Sequence, residues 1–238
     1  MITRFSAGNY RRAVLAALVF CLAALSPAAQ ELPQPEKRGF FSGLSWFVEG
    51  TILFFPEDNG MESGPMPVLP SPGAGASLPV GNLFRLEAVL GFYYTFYGYS
   101  DVLARAVPLE LEHRSAQVFG SLLSIQGMKA FDVAPALSVR AYGGFTADMR
   151  IVLVAPNLWA SEMDDARRQT DLARSYFWSQ GRWLFPVVGA GLDYTLNSGF
   201  KLGIDFRVWM PMYRLWTGEN LPGIEGWRFG PGIRLTLR

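Results

Sequence analysis

Leu184–Met212 reads LFPVVGAGLDYTLNSGFKLGIDFRVWMPM, two period-two runs joined by Asn197-Ser198-Gly199. In the second run Phe200, Leu202, Ile204, Phe206, Val208 and Met210 alternate with Lys201, Gly203, Asp205, Arg207 and Trp209. In the first, Pro186, Val188, Ala190, Leu192, Tyr194 and Leu196 alternate with Val187, Gly189, Gly191, Asp193 and Thr195. Successive strand residues point to opposite faces, and Asn-Ser-Gly is a hairpin turn signal. The stretch is therefore a hairpin with one apolar face and one charged face. Which face looks inward decides the class of protein.

The same alternation recurs on both sides of it. Leu44, Trp46, Val48, Ile52 and Phe54 oppose Ser45, Glu49 and Thr51. A small-residue strand holds Ala74, Ala76, Leu78 and Val80 against Gly73, Gly75 and Ser77, its prolines removing ladder donors. After Gly81-Asn82 come Phe84, Leu86, Ala88, Leu90, Phe92, Tyr94 and Phe96 against Arg85, Glu87, Val89, Gly91, Tyr93 and Thr95. From Leu109 to Gln126 the parity of Ala116 and Val118 clashes with that of Leu123 and Ile125. A β-bulge at Gly120-Ser121 would reconcile them, with a turn at Met128 to Asp132. Leu137 to Ile151 alternates against Ser138, Arg140, Tyr142, Gly144, Thr146, Asp148 and Arg150. The chain closes on Trp227, Phe229, Ile233, Leu235 and Leu237 against Arg228, Gly230, Gly232, Arg234 and Thr236.

These eight strands are joined by connections that run long, short, long, short, long, short, long. The long loops fall at about 56–67, 97–108, 153–182 and 213–225. The third carries a helix signal: the capping-box pattern Ser161-x-x-Asp164, then Met163, Ala166, Thr170, Ala173 and Phe177 at helical spacing. Met61, Met66, Leu158, Trp159, Phe177, Trp178 and Leu221 are expected to stand exposed on the loops.

The first 30 residues read as a cleaved signal peptide. Arg4, Arg11 and Arg12 precede 13 apolar-run residues, Ala13–Leu25, and small residues follow at 26–29. That run is shorter than the roughly 20 residues of a spanning helix. Cys21, the single cysteine, reads as a small hydrophobe of the discarded segment rather than an acylation site, because bulky Phe20 precedes it. Arg11-Arg12 is a weak twin-arginine signal. Residues 31–42 form a Pro-rich leader, and 43–238 the strand domain. With 21 basic and 20 acidic residues there is no basic footprint for nucleic acid. No metal cluster or cofactor motif stands out, so neither is expected.

One parity set carries Glu49, Arg85, Glu87, Arg140, Asp148, Arg150, Asp193, Lys201, Asp205, Arg207, Arg228 and Arg234. The opposite set is uncharged and rich in Phe, Trp, Tyr and Leu. Aromatics gather near the strand ends as two belts: Trp46, Phe54, Tyr94, Phe96, Trp183, Trp227 and Phe229. An Arg facing lipid at mid-membrane costs about 2–4 kcal/mol, so the charged set must face the lumen. The expected fold is all-β, an eight-stranded antiparallel up-and-down transmembrane β-barrel. Its location would be the outer membrane of a diderm bacterium, and the even strand count would put both ends of the mature chain in the periplasm.

A barrel of eight strands is only just wide enough to be filled by side chains. Gly73, Gly75, Gly189 and Gly191 leave room for arginines reaching across, so the charges are expected to form a ladder that plugs the lumen. Such a ladder serves the stability of the wall on one reading and lines a narrow or gated passage on the other.

In this architecture the chain, over roughly residues 43–238, resembles the small outer-membrane barrels of the OmpW, OmpX and OmpA transmembrane type. It departs from them at its last residues, Leu237-Arg238, where such barrels carry an aromatic. OmpW-like similarity implies a narrow pore for small, apolar solutes with side exit into the membrane. OmpX-like similarity implies a surface adhesin acting through its loops, over a lumen plugged by ion pairs. The partners implied are outer-membrane lipid, the barrel assembly machinery and host or matrix ligands, with no nucleic acid. His113-x-Ser115 is similar to the motif of barrel lipid A deacylases, but Ile125-Gln126-Gly127 offers no orienting carboxylate, and Glu112 points away from His113. No catalytic residue is assigned.

Overall fold

The computed structural model describes residues 43–56, 68–81, 84–100, 105–107, 115–154, 160–196, 199–218 and 225–237. The expected signal peptide and leader, His113, Glu112, Met61, Met66, Leu158, Trp159 and Leu221 lie outside these residues, as do the Ser161, Met163, Asp164 and Ala166 side chains.

Alternation translates into strands β1 (Ser45–Phe54), β2 (Val68–Val80), β3 (Phe84–Ser100), β5 (Ser115–Ala134), β6 (Leu137–Val154), β7 (Leu184–Thr195), β8 (Lys201–Trp209) and β9 (Arg228–Leu237). Each pairs antiparallel with its neighbour, and β1 pairs with both β2 and β9, so the sheet closes on itself. A closed ring satisfies strand backbone groups without an open edge, which hydrocarbon requires. A ninth strand, β4 (Arg105–Val107), pairs only with the end of β3 and stands outside the ring. Helix α1 (Ala160–Trp178) and a short helix α2 (Arg214–Thr217) lie in the third and fourth long connections. Left-handed glycines at Gly81 (φ +66°) and Gly199 (φ +84°) serve the tight turns.

Four expectations need correction. β5 runs unbroken through Gly120 and Ser121, which pair in step with Tyr93 and Phe92 on one side and Arg150 and Met149 on the other. No bulge sits there. Val118 and Leu122 simply face inward, because the loop end of the lumen is apolar. Met128–Asp132 is strand rather than turn; the turn is Pro135-Ala136, and the register shift falls between Asp132 and Ala134. β3 continues to Ser100, into the stretch read as the second loop. The helix opens at Ala160, one residue before the expected cap.

Candidate functional site

The lumen is filled in tiers. At the turn end Arg234 holds Glu87 with both nitrogens (Nη2–Oε1 2.6 Å, Nη1–Oε2 3.0 Å), and Gln126 Nε2 donates to the same carboxylate at 3.0 Å. The Arg234 guanidinium lies 3.4 Å from the Phe47 ring centre. Beside it Arg140 meets Asp193 at 2.8 Å and Asp205 at 3.8 Å. Arg85 sits at the mouth, donating to Ser77 Oγ (2.7 Å), Ser45 Oγ (2.9 Å) and Gly43 O (3.0 Å). Lys201 is half-buried there.

In the middle Arg207 clamps Glu49 past the intervening strand β9, meets Asp205 at 3.3 Å and donates to Tyr142 Oη. Higher up, Asp148 is fully enclosed by Arg150 (2.8 Å), Arg228 (2.5 Å) and the Tyr93 hydroxyl (2.9 Å). Arg228 also lies over Phe185 at 4.0 Å. Trp209 Nε1 donates to Thr146, which pairs with Ser124 at 2.7 Å.

Small residues make these reaches possible. A methyl group at Gly191 would lie 3.0 Å from Arg140 Nη2, and one at Gly189, Gly75 or Gly120 would strike the Tyr142, Phe47 or Tyr93 ring. Glycine therefore accommodates inward aromatics as well as arginines.

Above the ladder the lumen turns apolar. Leu53, Phe55, Leu69, Tyr93, Val118, Leu122, Val152, Phe185, Val187 and Trp209 form one buried cluster, into which helix α1 inserts Ala173 and Phe177. Phe177, expected to stand exposed, is thus part of the plug, whereas Trp178 is exposed.

The outer face carries the apolar set. Val48, Ile52, Leu90, Phe92, Ile125, Phe145, Ile204, Phe206 and Ile233 are all exposed to the surroundings. Ile204→Arg should lower barrel stability in a bilayer by about 2–4 kcal/mol, measured by urea unfolding from lipid vesicles; a loss below about 0.5 kcal/mol would place Ile204 away from hydrocarbon.

Among the belt residues Trp46, Phe54 and Tyr94 are exposed and Phe229 packs on Phe206. Trp227 is partly buried, and Phe96 lies in β3. Trp183 instead packs against Trp178 at the foot of α1. Lys129 is a charge on the outer face, near the turn end, its ammonium 5.1 Å and 5.6 Å from the Phe131 and Phe84 ring centres. That position lets it reach an interface.

Among the described strands the wall is interrupted in two ladders: β1 and β9 skip Ile52 and Leu53, between Thr51↔Gly232 and Phe54↔Phe229, and β2 and β3 part over a longer seam. β2 pairs with β3 only from Gly73↔Gly91 to Val80↔Phe84, although β2 starts at Val68 and β3 continues to Ser100. Pairing with β1 persists through Pro70 and Pro72, opposite Ile52 and Gly50. A proline has no N–H, so in that ladder it occupies non-hydrogen-bonded positions and turns its amide edge toward β3. Two successive donors are missing on that side. The inward residues at the seam, Leu69 and Tyr93, belong to the apolar cluster.

Four members of the site escaped sequence reading: the Tyr93 and Tyr142 hydroxyls, Gln126 and Glu225. The first three share the inward parity. Glu225, whose carboxylate meets Arg150 at 2.9 Å, comes from a loop and carries no periodic signal.

No protein-family model matches the sequence, and no curated protein is similar to it. Solved structures similar to it include Neisserial surface protein A (10% identity, TM-score 0.47), which covers 82% of this chain and 96% of its own. OprG from Pseudomonas aeruginosa is similar at 9% identity and TM-score 0.40, over 82% of this chain and 96% of its own. The N-terminal β-barrel domain of Pseudomonas aeruginosa OprF is similar at 12% identity and TM-score 0.38, over 81% and 97%. Its own ring of eight strands, apolar exterior and charge-filled interior make this chain a small eight-stranded transmembrane β-barrel.

Proposed function

We propose that this protein is an integral outer-membrane barrel that passes small, apolar solutes from its loop-side compartment sideways into the bilayer, between β2 and β3. The observation that carries this reading is the stretch Val68–Pro72, paired with β1 but not with β3, whose inward neighbours line the apolar cluster. The axial route is filled by ion pairs, so a solute of this kind leaves through the wall. The N-terminal targeting pattern and the apolar outer face support the location.

The test is uptake by liposomes carrying refolded protein. An apolar solute should enter faster than into protein-free liposomes, while planar bilayers show no steady large conductance. Large steady ion currents would overturn the filled axis, and uptake at the protein-free rate would overturn transport.

The filled axis also favours a second reading, recognition of host or matrix ligands by the loops. Ligand binding blocked by loop peptides, without solute uptake, would establish it.

A further inference from the structure

Arg150 has an unusual set of neighbours. On one side its Nε and Nη2 hold Asp148, each at 2.8 Å. On the other, Nη1 meets the Glu225 carboxylate at 2.9 Å, and the guanidinium lies 4.8 Å from the Phe177 ring centre. Asp148 belongs to the wall, but Glu225 and Phe177 come from two different long connections. The loops thus place an aromatic ring and a carboxylate together on one buried cation, inside the compartment assigned above to the solute.

We infer that Phe177 and Glu225 act as a built-in pseudo-ligand, and that the compartment takes small amphipathic carboxylates: an aromatic or alkyl body with one anionic head, which pairs with Arg150 in place of Glu225. The inference deepens the transport reading and rests on it for the solute's onward route.

Charge balance supports the exchange. Arg150 and Arg228 face Asp148 and Glu225, two cations against two anions. An incoming carboxylate preserves that balance when Glu225 withdraws, a neutral solute leaves a cation in excess, and an amine adds another. Ion pairs of this kind, out of water, are strong and punish imbalance. Glu225 is also a poor fixture for its place. Burial holds its carboxyl above the ordinary carboxylate range, outweighing Arg150 and Arg228 beside it, with Asp148 adding in the same direction. A head group that brings its own apolar body has more to gain there than a loop carboxylate that must be dehydrated. The aromatic face beside Arg150, vacated by Phe177, fits a ring or short chain.

The experiment compares three probes of one shape: 3-phenylpropanoate, 3-phenylpropan-1-ol and 3-phenylpropylamine. Binding is measured by calorimetry on the full chain in nanodiscs of zwitterionic lipid. The acid should bind about tenfold more tightly than the alcohol, the size of one charge-assisted contact, and the amine not measurably. Glu225→Gln removes the competing charge and should tighten the acid about tenfold while leaving the alcohol within about twofold. A purely structural Glu225 would weaken both. Equal binding of acid and alcohol, or weaker acid binding by Glu225→Gln, would overturn the inference. The wild-type series needs no substitution, so a variant that fails to fold does not protect it. Binding is read without transport, so acid binding with no uptake would overturn the route and leave the site standing.

Discussion

Asp148→Ala should lower the unfolding free energy of the barrel by about 3–5 kcal/mol, the cost of stranding buried charge. Asp148 is the shared partner of Arg150 and Arg228 and accepts the Tyr93 hydroxyl, all out of contact with solvent. Without it Arg150 and Arg228 lose the carboxylate they share, and the Tyr93 hydroxyl loses its acceptor. Glu49→Gln is the matched comparison: Arg207 then retains Asp205 at 3.3 Å. Its loss should be visibly smaller. A second comparison separates charge from packing. Removing a buried cation with its anion, as in Asp148→Leu with Arg228→Met, should recover much of the loss, because apolar replacements of buried ion pairs are often neutral. Urea unfolding from lipid vesicles measures all three. If Asp148→Ala loses less than about 1 kcal/mol, the upper lumen is wet enough to solvate its own arginines.

Pro70→Thr combined with Pro72→Thr should zip the seam and suppress solute uptake. Threonine suits a strand and restores two N–H donors on the edge facing β3. Two added hydrogen bonds are worth about 1–3 kcal/mol, which shifts an open population by roughly 5- to 150-fold. Liposome uptake should fall accordingly, and hydrogen exchange at the Phe92 and Tyr94 amides should slow. Protected amides with undiminished uptake would show that solute does not leave between β2 and β3.

The barrel was readable because a membrane wall is the simplest pattern a strand can carry. In Leu137–Ile151 every second side chain faces acyl chains, and any charge there would be penalised, so parity alone orients the strand. The reading failed where the inner face stops being polar. Val118 and Leu122 look like lipid-facing residues that have slipped register, since nothing local distinguishes an apolar lumen from hydrocarbon. Their inward placement follows from pairing with β3 and β6 and from the helix that covers them. Parity gathers Glu49, Glu87, Arg207 and Arg234 on one face, but partner choice depends on barrel geometry. Arg207 reaches Glu49 over 158 positions of sequence. The seam had a signal in Pro70 and Pro72, but proline marks only a missing donor. Which neighbour loses it is decided by the ladder to β1.

The strands differ greatly in reach: β8 has 9 residues and β1 has 10, against 20 in β5 and 18 in β6. A tilted strand crosses hydrocarbon in about 9–11 residues, so the surplus of β5 and β6 must stand clear of it. Met149–Val154 rises past the last β7 pairing at Leu184, beside helix α1. The strand wall is therefore tall at β5 and β6 and short at β1, β8 and β9. Any large visitor, whether antibody, phage tip or neighbouring barrel, meets strand backbone standing clear of the hydrocarbon at β5 and β6.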